Sequence, residues 1–186
     1  MVTTHLVTAA ELEVMGSDAR FELIQGVLHE MSPSSSDPSA IAARLLFELG
    51  TLVYRNQLGI LTGADGGYFL ERNPDTVIEP DGGFIRAERL DLWPGRRGFF
   101  PGHPDIAIEV ISPTDEPAEI RQKMEIYQRT SVPLVWWIDP ARRTATVQAA
   151  GKPIRHLNDA DSLDGESVLP GFKFPLSVLF DFTPQH

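Results

Sequence analysis

The stretch "DIAIEVISPTDEPAEIRQKMEIY" (Asp105–Tyr127) decides the fold. It reads as a strand, a turn and a helix. The strand period of two puts Ile106, Ile108 and Val110 on one face and Asp105, Ala107, Glu109 and Ile111 on the other. The two carboxylates share a face but stand about 13 Å apart along the strand, too far to hold one ion together. Glu109 therefore needs another partner, unless its strand is an exposed edge. Asp115 suits a helix N-cap, and Glu116, Pro117 and Glu119 suit a first turn. Ile120, Met124 and Tyr127 then recur at i, i+4 and i+7, an inward stripe that argues against an open edge. Lys123 borders that stripe. A lysine there either snorkels to water or meets a carboxylate, because an unpaired buried ammonium is costly. Helix geometry by itself favours snorkelling.

Downstream, "LVWWID" (134–139) is an apolar strand of the kind covered on both faces. Trp136 and Trp137 alternate and read as core on opposite layers rather than as base-stacking platforms. "DPARRTATVQAA" (139–150) closes a hairpin. The apolar tail "VLPGFKFPLSVLF" (168–180) either docks on the core or, through Phe172, Phe174, Leu179 and Phe180, offers a homodimer patch.

Upstream, Thr8 and Glu11 have the capping-box spacing for a short helix. "FELIQGVLHEM" (21–31) reads as two strands joined at Gln25-Gly26. "SPSSSDPS" (32–39) is a loop ending in Asp37-Pro38, an N-cap and first helical residue. Ile41, Leu45, Leu49 and Leu52 line the helix that follows, and Asn56 to Gly59 end it. Short strands succeed one another in "ILTG", "GYFLER", "TVIEP" and "GFIRA", punctuated by Gly66-Gly67 and Gly82-Gly83. "LDLWPGRRGFFPGHP" (90–104) is a long loop that brings Phe99, Phe100 and His103 near the strand of Glu109, where His103 reads as part of a capped loop ahead of a substrate contact. The expected class is α/β, a mixed central sheet flanked by helices. "PDGG" by itself is a turn signal, although Asp81 beside two glycines also suits close approach of a ligand or metal.

The chain has 186 residues, 42% hydrophobic and 23% charged, which favours a single domain over residues 1–186 with a real core. It has no cysteine, so neither a disulfide scaffold nor a thiolate metal site is expected. Neither a signal peptide nor a membrane span stands out, and a cytoplasmic protein is expected. The net charge of -10 excludes a wholly basic nucleic-acid surface. It leaves room for a local patch at Arg86, Arg89, Arg96 and Arg97, whereas Arg142 and Arg143 read as solvated.

Five stretches in this order, 21–35, 78–85, 104–115, 123–147 and 168–180, resemble the Uma-two family of restriction-endonuclease-like proteins, within the PD-(D/E)XK nuclease superfamily. The resemblance implies a restriction-endonuclease-like core and an acidic metal site at Asp81 and Glu109. Most of the superfamily has a lysine two residues after that glutamate, where this chain has Ile111. In the family it resembles, the lysine lies on the next helix, at the place of Lys123. Glu22 matches the first acid of the pattern. A histidine common after the "SPSS" loop is missing here.

The implied activity is metal-dependent endonucleolytic cleavage of DNA. Mg²⁺ or Mn²⁺ would be held by Asp81, Glu109 and, by superfamily resemblance, the Val110 carbonyl. Lys123 would orient the attacking water or stabilise developing charge, and Glu22 would bind a second ion or position water. Tyr127 reads as core with a hydrogen-bonded hydroxyl, and Gln122 as a solvated position ahead of one that faces a substrate. Two rivals stand on the same fold: a catalytically silent interaction module, which the net charge favours, and a hydrolase of a smaller phosphate ester.

Overall fold

The computed structural model describes residues 5–16, 20–31 and 36–182. In chain order they form α1 (Ala9–Met15), β1 (Phe21–Ile24), β2 (Val27–Glu30), α2 (Ser36–Arg55), β3 (Gly59–Gly63), β4 (Tyr68–Glu71), β5 (Thr76–Ile78) and β6 (Gly82–Arg86). Then follow β7 (Ile106–Val110), α3 (Pro117–Arg129), β8 (Leu134–Asp139), β9 (Thr144–Ala149), β10 (Arg155–Leu157), β11 (Ser162–Asp164), β12 (Lys173–Pro175) and α4 (Leu176–Leu179).

β7 is central, not an edge. It lies between β6 and β8 in a six-stranded sheet ordered β10-β9-β8-β7-β6-β3. β7 and β8 run parallel, as a crossover through α3 requires, and the other pairs are antiparallel. The sheet is mixed, with helices on both faces, as expected from the sequence.

The strand alternation sets the two layers. Ile106, Ile108 and Val110 join Trp136 and the α2 residues Ile41, Leu45, Leu49 and Val53 in one apolar cluster. Each such fully buried side chain contributes about 1.5–3 kcal/mol of transfer free energy. The tail residues Phe172, Phe174, Leu179 and Phe180 are buried in the same cluster, so the tail docks on the core. On the opposite face Ala107, Val135 and Trp137 pack against Ile126 and Tyr127 of α3. The two tryptophans therefore part to opposite layers.

A four-stranded sheet, β2-β1-β5-β4, stands beside this second layer and brings Ile24 and Ile78 into it. Gln25 and Gly26 both have positive φ, the two-residue turn that joins the β1–β2 hairpin. Thr8 and Glu11 form the expected reciprocal cap on α1.

Four local readings shift. Residues 32–35 of the serine-rich loop lie outside the described residues, and α2 already includes Ser36, so Asp37 is in its first turn rather than at the N-cap. The N-cap of α3 is Glu116, while the Asp115 carboxylate accepts the Ser112 N–H at 2.8 Å and closes the preceding turn. Gly82 and Gly83 begin β6 instead of forming a turn; a Cβ on Gly83 would stand 2.1 Å from the Tyr68 hydroxyl oxygen. The segment 87–104 contains two 3₁₀ turns and is held by Trp93 packed edge-on against Phe100. Aromatic anchoring orders what composition alone marks as loop. Among the described residues no helix is long and apolar enough to cross a membrane.

Candidate active site

Four elements converge on one cavity of about 280 Å³: the β1–β2 hairpin, the segment before β6, the end of β7, and the N-terminal half of α3. Glu22, Asp81, Glu109, Val110 and Lys123 all line it. The hairpin brings Glu22 in, because β1 pairs with β5 and the Glu79 N–H, just past β5, donates to Glu22 Oε1 at 2.9 Å. Asp81 sits where the chain enters β6. Its Oδ2 accepts the Val110 N–H at 2.7 Å, so it reaches across to the neighbouring strand rather than bonding its own turn.

Lys123 does not snorkel. Its ammonium lies 3.0 Å from Glu22 Oε1, 2.9 Å from Glu109 Oε1 and 3.1 Å from Glu109 Oε2. Its side chain is only 19% exposed. The carboxylates win because they supply what water would have supplied, and the apolar stripe needs no break in its packing. Tyr127, one turn on, donates its hydroxyl to Glu109 Oε1 at 2.5 Å.

Burial dominates the titration of this cluster. It pushes the Glu109 carboxyl up to about 7; Lys123 opposes the rise, and Asp81 and Glu22 add to it. Burial also raises Asp81, against the Val110 N–H that stabilises its charge. Glu79, at the cavity wall, is pushed to about 7 by burial and by the nearby charges of Glu22 and Asp65. For Lys123, burial disfavours the charge, but Glu109 and Glu22 together outweigh it and the pKa stands above the ordinary lysine value. The ammonium is therefore charged and the acids are short of positive charge.

That shortage suits a hard divalent ion, since carboxylate oxygens are the donors Mg²⁺ and Mn²⁺ prefer. Among the described residues no three acidic or histidine side chains converge as a ready-made cage. The Lys123 ammonium stands between Glu22 and Glu109 instead.

The lining holds residues that sequence reasoning passed over. Glu79 is two positions from Asp81, and His29 is the cross-strand partner of Glu22. Both were within reach of the period-two rule and the register that a two-residue hairpin imposes. Gln122 lines the cavity and is half-buried rather than solvated. None of Arg86, Arg89, Arg96 and Arg97 lines it. Arg86 and Arg89 are engaged elsewhere, on Asp105, and Arg142 pairs with Asp139. Nine of the lining residues are acidic, so the basic flank expected beside the site is not formed by this arginine segment.

A family model, Uma2, described as "Putative restriction endonuclease", matches residues 8–178. The chain belongs to the Uma2 family. A solved structure, a "putative nuclease belonging to DUF820 from Anabaena variabilis ATCC 29413", is similar at a TM-score of 0.79 and 16% sequence identity. That match covers 94% of this chain and 97% of that chain, and at such identity it speaks for the fold alone. No curated protein matches. The Uma2 assignment and the shared fold agree with the mixed sheet, which carries Glu109 on β7 and Asp81 at the entry to the neighbouring β6.

Proposed function

We propose that this Uma2 member is a metal-dependent endonuclease that hydrolyses phosphodiester bonds of DNA. The observation that carries the reading is the Lys123 ammonium held between Glu22 and Glu109 in a cavity that Asp81 also lines. Asp81 and Glu109, with the Val110 carbonyl, would hold Mg²⁺ or Mn²⁺. Such an ion, when bound, polarises a phosphate oxygen and lowers the pKa of a coordinated water.

The chain's own residues supply the rest. Lys123, kept charged by its two carboxylates, offers a donor to the phosphate oxygen on which negative charge grows. Glu22 positions that donor and accepts hydrogen bonds on the cavity side. Glu22 and Glu109 are themselves buried, and burial strengthens their contacts with the ammonium. Acids around the rim repel a polyanion, so DNA approach depends on cations or on a surface supplied by a second copy. A homodimer would also bring two sites to opposite strands. The expected setting is the cytoplasm.

The acidic rim favours one second reading, a hydrolase of a smaller phosphate ester that enters the cavity without laying a polyanion across the rim.

The test is cleavage of supercoiled and linear DNA with Mg²⁺ or Mn²⁺, by wild type and by Asp81→Ala and Lys123→Met. Divalent-dependent cleavage lost in both variants supports the endonuclease. Hydrolysis of small phosphodiesters without DNA cleavage moves the assignment to the second reading. No hydrolysis of either, with no divalent ion bound, leaves a catalytically silent module.

A further inference from the structure

We infer that Tyr127 is a positioning residue for this chemistry: its hydroxyl anchors one oxygen of Glu109 and so fixes the direction of the carboxylate. The inference rests on the metal-dependent reading above and extends it to a residue outside the acids and Lys123.

Glu109 has two partners, and they differ in kind. Lys123 is shared with Glu22 and touches both Glu109 oxygens. Tyr127 is a neutral donor to Oε1 alone. A lysine that turns toward a phosphate oxygen loosens its hold on Glu109. The tyrosine stays, and Oε2 is left as the freer oxygen. A neutral anchor holds a cation-binding carboxylate without adding a charge that repels the cation, and such outer partners are worth about 10–100-fold in metal affinity.

The anchor is itself fixed. Tyr127 is 1% exposed, and its ring meets Trp137 edge-on, with centroids 5.8 Å apart. The Trp137 indole N–H donates to Gln148 Oε1 at 3.2 Å, and Gln148 Nε2 donates to the Met124 carbonyl at 2.9 Å. That last bond ties α3 to β9 one turn before Tyr127. The hydroxyl thus has support from its ring and from its helix, more than a tyrosine needs merely to fill space.

Tyr127→Phe removes the hydroxyl and keeps the ring. The measurement is Mn²⁺ affinity of the full chain by calorimetry, beside the thermal midpoint and the kcat and KM of cleavage. The expected result is an affinity about 10-fold weaker or more. The kcat falls, KM for DNA is unchanged, and the midpoint stays within a few degrees. Wild-type Mn²⁺ affinity with only a lowered midpoint would overturn the positioning role and leave a structural hydroxyl. No Mn²⁺ binding by the wild type would overturn the metal-dependent reading, and this inference with it. A measurement on unsubstituted protein guards against a variant that fails to fold. The chain has three tyrosines, so fluorotyrosine labelling gives three resonances. The Tyr127 resonance is expected to move as Mg²⁺ saturates, and a resonance that stays put overturns the role.

Discussion

Asp105 and Glu109 are two acids on one face of the same strand region, both buried, and their surroundings part company. Asp105 is met by arginine: the Arg89 guanidinium donates to Oδ2 at 3.0 Å, the Arg86 guanidinium stands 3.8 Å from Oδ1, and the Arg86 backbone N–H also donates to Oδ2 at 2.9 Å. Arg86 goes on to the Val168 and Ser167 carbonyls, and Arg89 lies over the Phe100 ring. This acid faces two cations and does not line the cavity that Glu109 lines. At the other end of β7, Glu109 shares a single lysine with Glu22, within a cavity that Asp81 and Glu79 also line. A charge that is over-compensated locks structure. A charge that is under-compensated beside a cavity remains available to a ligand.

The sharpest way to break this distinction is a pair of amides. Glu109→Gln should lose several kcal/mol of charge stabilisation, a fall in cleavage on the order of 10²–10³-fold, with a thermal midpoint near wild type. Asp105→Asn should do the reverse. It removes the buried negative charge that the Arg89 and Arg86 guanidinium groups face, at a cost of about 3 kcal/mol, a midpoint lower by roughly 6–12 °C, and the folded fraction cleaves at the wild-type rate. Calorimetric melts beside cleavage rates decide it. If Asp105→Asn lost activity while keeping its midpoint, the division between the two acids would collapse.

The pH dependence sharpens the Glu109 side. Glu109 and Glu79 are raised from the ordinary 4.5 to about 7 in the folded chain. Between these values the folded state holds protons that the unfolded chain has released. Their contribution to stability is therefore full below about 4.5 and is lost as pH rises through about 7. Melts of the metal-free protein should show a midpoint falling from pH 5 to 7.5, with a shallower slope in Glu109→Gln. Mn²⁺ affinity should run the opposite way, stronger at pH 8 than at pH 6, because the ligands must shed protons.

The smallest effect belongs to a pair that resembles the Asp105 cluster only in chemistry. Arg129 grips Glu71 with two hydrogen bonds, at 2.8 and 2.7 Å, but at the surface. Arg129→Ala should cost less than about 1 kcal/mol in urea unfolding and leave cleavage unchanged, because solvent already screens both charges. A larger loss would mean that burial is not what separates these pairs.

Much of this was legible locally. The alternation of "DIAIEV", the stripe on α3, the turn at Gln25-Gly26 and the cap at Thr8 all appear where sequence spacing puts them. So do the separate layers of Trp136 and Trp137. The resemblance to a nuclease family also selected acids that the fold brings to one cavity. What spacing could not supply was the pairing. Helix geometry favoured a snorkelling Lys123, yet its partners are 14 residues away on β7 and far upstream on β1. The arginine segment looked like a flank for DNA, and two of its members are committed to Asp105.

Sequence alone therefore determined which side chains share a face, because the periods of strand and helix are properties of the local backbone. It also determined the chemistry on offer, a lysine and several carboxylates in a chain without cysteine. Only the tertiary structure decided which acid meets which cation. That choice depends on strand order and on helix packing against the sheet, which bring together residues such as Glu22 and Lys123. In a buried setting it is distance and desolvation, not residue type, that turn one acid into a brace and make the other a candidate site residue.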